Sequence, residues 1–281
     1  MKLCSFTHKG KPGYGLVTDA GIIDLGQQLA DLPTLRHFIK ADAYAKAAAL
    51  SGNKVDYALD DVTLQPVIPN PDKIICVGLN YHDHVHETGH TVTKYPTLFP
   101  RYQGSQVGHG SPMIKPLESD KFDYEGEMAV IIGKAGRRIS KENALDHIAG
   151  YSCYNDGSIR DWQSHTTQFM PGKTFAATGG FGPWMVTADE IPDPSVLSLI
   201  TRLNGAVVQQ TTTDLMITDI PALIAYCSTI LPLLPGDVIV TGTPGGVGFK
   251  RNPPLWMKDG DTVDVEISGI GILSNPVVAE K

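Results

Sequence analysis

Cysteine is scarce in this chain and scattered. Cys4, Cys76, Cys153 and Cys227 are the only four in 281 residues, and no two form a C-x-x-C pair. That excludes a disulfide-stapled scaffold and the common zinc-ribbon patterns. Met1-Lys2-Leu3-Cys4-Ser5 carries no secretory leader, so the expectation is reduced thiols in a cytoplasmic protein. Basic clusters are missing too. Beyond Gly136-Arg137-Arg138 there is no Lys/Arg run, and the net charge is −7, which argues against nucleic-acid and membrane-surface partners. No apolar run reaches the roughly 18 residues of a membrane span. The stretch Ile220 to Leu234 is broken by Pro221 and Pro232 and reads as a core helix. Internal repeats and low-complexity tracts are absent. The glycine-rich run Thr241 to Gly248 lacks the Lys-Ser/Thr of a P-loop, and Pro253-Pro254 soon after cannot open a helix. It reads as a turn lining a small-molecule pocket.

What is abundant is glycine and proline, 29 and 20 residues, which favours a β- and turn-rich fold over a helical bundle. Short strand-like runs at Met1–Ser5, Gly13–Thr18 and Gly21–Leu25, then an alanine- and leucine-rich stretch over 29–51, predict a small α+β unit over residues 1–70. Pro66, Pro69 and Pro71 form a stiff connector. Residues 71–281 then hold the larger unit, with strands at 73–77, 122–132, 148–154, 184–187 and 237–241. A helix is expected from an N-cap at Ser140, and another from Asp219. Hairpins are expected at Asn204-Gly205 and at Gly269-Ile270-Gly271.

The residues that carry chemistry centre on Lys121 to Ile132, KFDYEGEMAVII. A strand repeats its side-chain direction every two residues, so Glu125 and Glu127 would point the same way, roughly 6–7 Å apart. They are either a charged strand face or the oxygen ligands of a hard divalent cation. Asp156, in Asn155-Asp156-Gly157, is turn chemistry or a third ligand. Four of nine histidines lie within residues 82–90. His86-Glu87-Thr88-Gly89-His90 matches the zinc-protease pattern, but that motif needs a helix, and Gly89 argues against one running through it. His84 and Glu87, spaced i, i+3, are either a solvated loop or a base with its orienting carboxylate. Arg160, Asp161, Gln163 and Lys173 either hold an anionic substrate or form surface pairs.

The order of these motifs resembles the fumarylacetoacetate hydrolase superfamily, in particular its bacterial acylpyruvate hydrolase-like branch. The resemblance rests on Val77-Gly78-Leu79-Asn80-Tyr81-His82-Asp83-His84-Val85-His86-Glu87, Asp123-Tyr124-Glu125-Gly126-Glu127, Asn155-Asp156-Gly157-Ser158-Ile159-Arg160-Asp161-Trp162-Gln163, Gly172-Lys173-Thr174-Phe175 and Thr241 to Gly248, over about residues 73–278. It implies a mainly β, α+β fold: a mixed β-sandwich roll with a small N-terminal domain, assembled as a homodimer. It implies Mg2+ or Mn2+, with Ca2+ as a substitute, held by Glu125, Glu127 and Asp156. His84 and Glu87 would activate water from a lid segment. Lys173 would stabilise a leaving enolate, and Gln163 and Thr243 would hold a 2-oxo acid. Arg101, Ser105, Tyr124 and Arg160 are further expected substrate contacts. The implied reaction is hydrolysis of a C–C bond in a 2,4-dioxo acid to pyruvate and a carboxylic acid, in catabolism of aromatic compounds or sugar acids. Decarboxylation of oxaloacetate, isomerisation of a 2-hydroxy-diene-dioate and a ureidoglycolate-type lyase reaction are alternatives on the same site. A non-catalytic metal-binding protein stands further off. Leu79 departs from the pattern, standing where that branch often has an arginine, and Ala176 stands where many members have Asp.

Overall fold

A computed structural model describes residues 1–281. Two sheets form the frame. The larger has eleven strands, and its main path runs Gly21–Asp24, Lys11–Thr18, Lys2–His8, Gly179–Thr187, Ile148–Asn155, Gly126–Ile132, Val238–Val240, Ile74–Gly78, Thr97–Arg101. Pairing is antiparallel except where Val238–Val240 meets Ile74–Gly78 and where Gln106–Val107 joins Gly179–Thr187. The second sheet runs Ala206–Thr212, Ser198–Leu203, Thr262–Ile267, Gly271–Ala279, Met113–Lys115. The strand-rich, mixed architecture agrees with the expectation.

Strand Gly126–Ile132 lies in the middle, and every one of its residues is buried. Its apolar run follows from covering both faces. Met128, Val130 and Ile132 face a core shared with Leu199 and Val265 of the second sheet and with Leu223 and Ile224 of helix Ile220–Ile230. Ala129 and Ile131 face the opposite core, with Leu3, Phe38, Ile39 and Val240. The segment 1–70 was expected as a separate unit. It shares this core, and Lys2–His8 pairs with Gly179–Thr187 in register Lys2 to Val186. A smaller cluster around Phe6, Ile22 and Leu64 draws all its buried residues from the N-terminal segment.

Local signals hold at the hairpins and at one cap. Asn204 and Gly205 both take positive φ, 52° and 80°, as a tight hairpin demands. The Asp219 carboxylate accepts the Ala222 N–H at 2.8 Å, and Pro221 occupies the first helical turn. The helix expected from Ser140 is instead two 3-10 turns, Lys141–Asn143 and Leu145–His147, and the Ser140 side chain caps nothing. Asn143 and Asp146 are weak helix formers, and the chain must be extended again by Ile148. All four cysteines are free and buried. No helix is long and apolar enough to cross a membrane.

Candidate metal centre and active site

Residues 125, 127, 129 and 131 share one side of the central strand, so both glutamates project from the face opposite the second sheet. The neighbouring strand supplies the third acid. Gly126 pairs with Asn155 and Glu127 with Tyr154, and the Asp156 N–H donates to the Glu125 carbonyl at 2.8 Å. Glu125, Glu127 and Asp156 thereby bring one oxygen each to within 4.8 Å of one another, all three buried. Gly126 must have no side chain. A Cβ there would stand 1.9 Å from Thr201 Oγ1 on the second sheet. Gly126→Ala is therefore expected to cost about 1–3 kcal/mol in urea unfolding and to disturb the spacing of the two glutamates on either side.

Three cations surround these acids. Lys173 Nζ, from the short helix Met170–Lys173, donates to Glu125 Oε2 at 2.6 Å and Asp156 Oδ2 at 2.8 Å. Arg160 contacts Glu125 Oε1 at 2.7 Å and Asp123 Oδ2 at 2.8 Å. Arg101, wholly buried, grips Asp156 Oδ1 and also donates to the Gly157 carbonyl, Thr178 Oγ1 and Ser105 Oγ. Four carboxylates, counting Asp123, thus face three cations, and Glu127 has no ion-pair partner. Its one protein donor is the Gly242 N–H.

The titration behaviour divides accordingly. Burial would raise the Glu125 carboxyl, but Lys173 and Arg160 outweigh it and bring it down to about 2. Glu127 is pushed well above the usual carboxylate range by burial and by the charges of Asp156 and Glu125. Lys173 is raised: burial works against its charge, and Asp156 and Glu125 overcome that. The set of oxygen donors lacks one positive charge, beside Glu127. A hard divalent ion fits it, because Mg2+, Mn2+ and Ca2+ favour carboxylate oxygen.

His84 lines the same cavity, of about 550 Å³, as Glu125, Glu127, Arg160, Lys173 and Thr243. It sits on helix His82–Thr88, which opens with Asp83 Oδ1 accepting the His84 N–H and closes at Gly89 with φ 75°. His84 Nδ1 and Glu87 Oε1 are 2.8 Å apart, and Glu87 Oε2 accepts the Gly246 N–H at 2.9 Å. The imidazole is thus fixed through Nδ1, leaving Nε2 for the cavity. The zinc-protease reading fails on geometry, since His90 lies beyond the helix end.

The expected substrate contacts separate into two groups. Arg160, Gln163 and Thr243 line the cavity. Arg101, Ser105 and Tyr124 do not. Arg101 and Ser105 sit behind Asp156, holding it from the far side. Tyr124 has the opposite parity to the two glutamates and is buried in a third core, its hydroxyl donating to the Gly246 carbonyl at 3.1 Å. Arg101→Met would leave the buried Asp156 with one cation fewer. The expected loss is about 3–5 kcal/mol of unfolding free energy, read as a lowered urea midpoint.

Two contributors do more than the sequence indicated. The glycine run 241–248 does more than line a pocket. Gly242, at φ 100°, presents its N–H to Glu127, and Gly246, at φ 102°, presents its N–H to Glu87. One loop thus ties the carboxylate cluster to the histidine pair. Gln209, buried in the second sheet, accepts the Gly126 N–H and donates to Thr243 Oγ1 and the Pro244 carbonyl. Nothing near Gln209 in the sequence sets it apart from an ordinary polar strand residue.

Comparison with known proteins finds relatives over nearly the whole chain. The family described as Fumarylacetoacetate (FAA) hydrolase C-terminal matches residues 73–278. Oxaloacetate tautomerase fahd2, mitochondrial, of Xenopus laevis is 41% identical over 288 residues, covering 99% of this chain and 90% of that protein. Among solved structures, fumarylacetoacetate hydrolase from the psychrophilic Exiguobacterium antarcticum is 36% identical with a TM-score of 0.85, each chain covered completely. Maleylpyruvate hydrolase from Sphingobium sp. SYK-6, in complex with manganese (II) ion and pyruvate, is 28% identical with a TM-score of 0.83, again over the whole of both chains.

Proposed function

Since this chain belongs to the fumarylacetoacetate hydrolase family, we propose that it is a metal-dependent tautomerase interconverting the keto and enol forms of oxaloacetate or a similar short 2-oxo dicarboxylic acid. The observation that carries this reading is His84, held by Glu87, lining the same cavity as Glu125 and Glu127 of the carboxylate triad. Enolisation needs a base for a C–H proton and positive charge near the oxygen that becomes negative. Both are here. The full-length similarity to an oxaloacetate tautomerase supports the choice of substrate.

Glu125, Glu127 and Asp156 would hold Mg2+ or Mn2+. A divalent ion there supplies Lewis acidity, which makes the carbon next to a 2-oxo group more acidic. Lys173, kept charged by its two carboxylates, adds a second fixed positive charge. Arg160 Nη2 is buried without any protein acceptor, on a side chain that lines the cavity. It offers that unused donor to a substrate carboxylate. His84 Nε2 takes the proton from carbon and returns it to oxygen. Glu87 fixes the tautomer at Nδ1 and stabilises the transient imidazolium. Phe99, Phe169 and Phe249 form the apolar wall that limits water.

C–C hydrolysis of a 2,4-dioxo acid is the second reading. The cavity of about 550 Å³ favours it, because it has room beyond a four-carbon acid, with Leu79 and Phe169 in its wall. The same histidine would then activate water. Purified protein with Mn2+ should be assayed for keto–enol exchange of oxaloacetate and for pyruvate release from oxaloacetate and a panel of acylpyruvates. Exchange without pyruvate supports the tautomerase. Pyruvate from acylpyruvates moves the assignment to the hydrolase, and pyruvate from oxaloacetate to a decarboxylase. No reaction with any of them removes all three.

A further inference from the structure

The helix His82–Thr88 carries three histidines, and the reaction uses one. His84 is buried and faces the cavity, while His82 and His86 are exposed. The geometry of an α-helix explains the split. Two residues advance about 200° around the axis, so the outer pair points away from His84. Four residues advance just over one turn, so His82 and His86 stack on one face with Cβ atoms about 5–6 Å apart. Two imidazoles at i, i+4 on one helical face are the arrangement that chelates zinc in the H-E-x-x-H motif. At 86–90 the pattern is broken by Gly89, where the helix ends. The histidines that keep its spacing within continuous helix lie one turn earlier, at 82 and 86.

Two further observations favour a cation there. Within this helix only His84 engages a ring nitrogen in a hydrogen bond, so the rings of His82 and His86 are free to coordinate. The surroundings are acidic. Asp83, next to His82 on this helix, is exposed. The antiparallel bridge from Tyr81 to Met216 brings the turn Thr213–Leu215, with its exposed Asp214, to the start of this helix.

We propose that His82 and His86 form a second metal site, on the outer face of the helix that carries His84, for a divalent transition ion that prefers imidazole: Zn2+, Ni2+ or Cu2+. Solvent completes the coordination. The site differs in kind from the carboxylate triad, whose hard oxygen donors favour Mg2+ and Mn2+. Its structural consequence is local. The ion links the first turn to the last in a seven-residue helix, which is too short to be stable by propensity alone.

The test is calorimetric titration of Ni2+ into the protein held in excess Mg2+. Wild type should bind one equivalent. His82→Ala and His86→Ala should each weaken that event by roughly tenfold or more, and the double variant should abolish it. His90→Ala and His37→Ala, at exposed histidines outside the pair, should leave it intact. Mn2+ binding, followed by electron paramagnetic resonance, should be unchanged in the double variant, which also shows that the chain has folded. No Ni2+ binding in wild type, or undiminished binding in the double variant, overturns the proposal. So does loss of the Ni2+ event in Glu127→Gln with retention in the double variant, because the ion would then occupy the triad.

Discussion

Glu127→Gln should give a chain that folds, no longer binds Mn2+ usefully and has no measurable turnover. The substitution is isosteric, and the amide oxygen can still accept the Gly242 N–H that Glu127 accepts now. What disappears is the one carboxylate charge of the cluster without an ion-pair partner. As a direct oxygen donor its loss should weaken Mn2+ binding by more than the roughly 10–100-fold typical of an outer-shell partner. The effect on stability should have the opposite sign. In the metal-free protein burial and the charges of Asp156 and Glu125 favour the protonated form of Glu127. Folding must therefore return a proton to a carboxylate that is ionised in the unfolded chain, and an amide carries no such cost. The metal-free variant should melt higher than metal-free wild type, by about 2–4 °C for each kcal/mol relieved. A site that binds a cation is thus expected to be destabilising without one. Calorimetry with Mn2+ and thermal unfolding in chelator read both effects. Wild-type Mn2+ affinity in the variant would remove Glu127 from the ligand set.

His84→Ala should separate binding from chemistry. The imidazole makes no hydrogen bond to the triad, and its Nδ1 is committed to Glu87. Mn2+ affinity should therefore stay within about twofold, while kcat falls by about 10²–10⁴, the usual share of a general base. Glu87→Gln should fall less. It keeps an acceptor toward Nδ1 and loses the charge that stabilises the imidazolium, and it also weakens the tie to the Gly246 N–H. The same ordering holds whether the proton comes from carbon or from water, so these variants test the dyad and leave the reaction class to the substrate panel. Wild-type kcat in His84→Ala would exclude the histidine as the base under either reading.

The two short-range pairings at the site were legible because they follow from repeat geometry. Glu125 and Glu127 project together since a strand repeats every two residues, and His84 reaches Glu87 since a helix brings i and i+3 onto one face. The same rule applied to Tyr124 would have placed it on the opposite side, in the core where it lies. Its position in the motif suggested otherwise. Arg101 was recognisable as a polar group near the site. That its guanidinium lies behind Asp156 depends on residues 55 and 77 positions away. The helix expected at Ser140 failed because capping signals are local, whereas the strand that follows is imposed by its neighbours in the sheet.

The amino-acid sequence by itself determined the strand-rich class, the order of the motifs and the spacing of each acid or histidine pair, because these depend on contacts within one turn or one pleat. Only the tertiary structure decided which groups meet. Pairing of Gly126 with Asn155 brings Asp156 to the glutamates. The loop at 242–246 reaches back 115 residues to Glu127 and 159 to Glu87. Thr201, across the sandwich, leaves no room for a side chain at position 126. Such contacts are set by how two sheets pack and register against each other, and local periodicity carries no record of that.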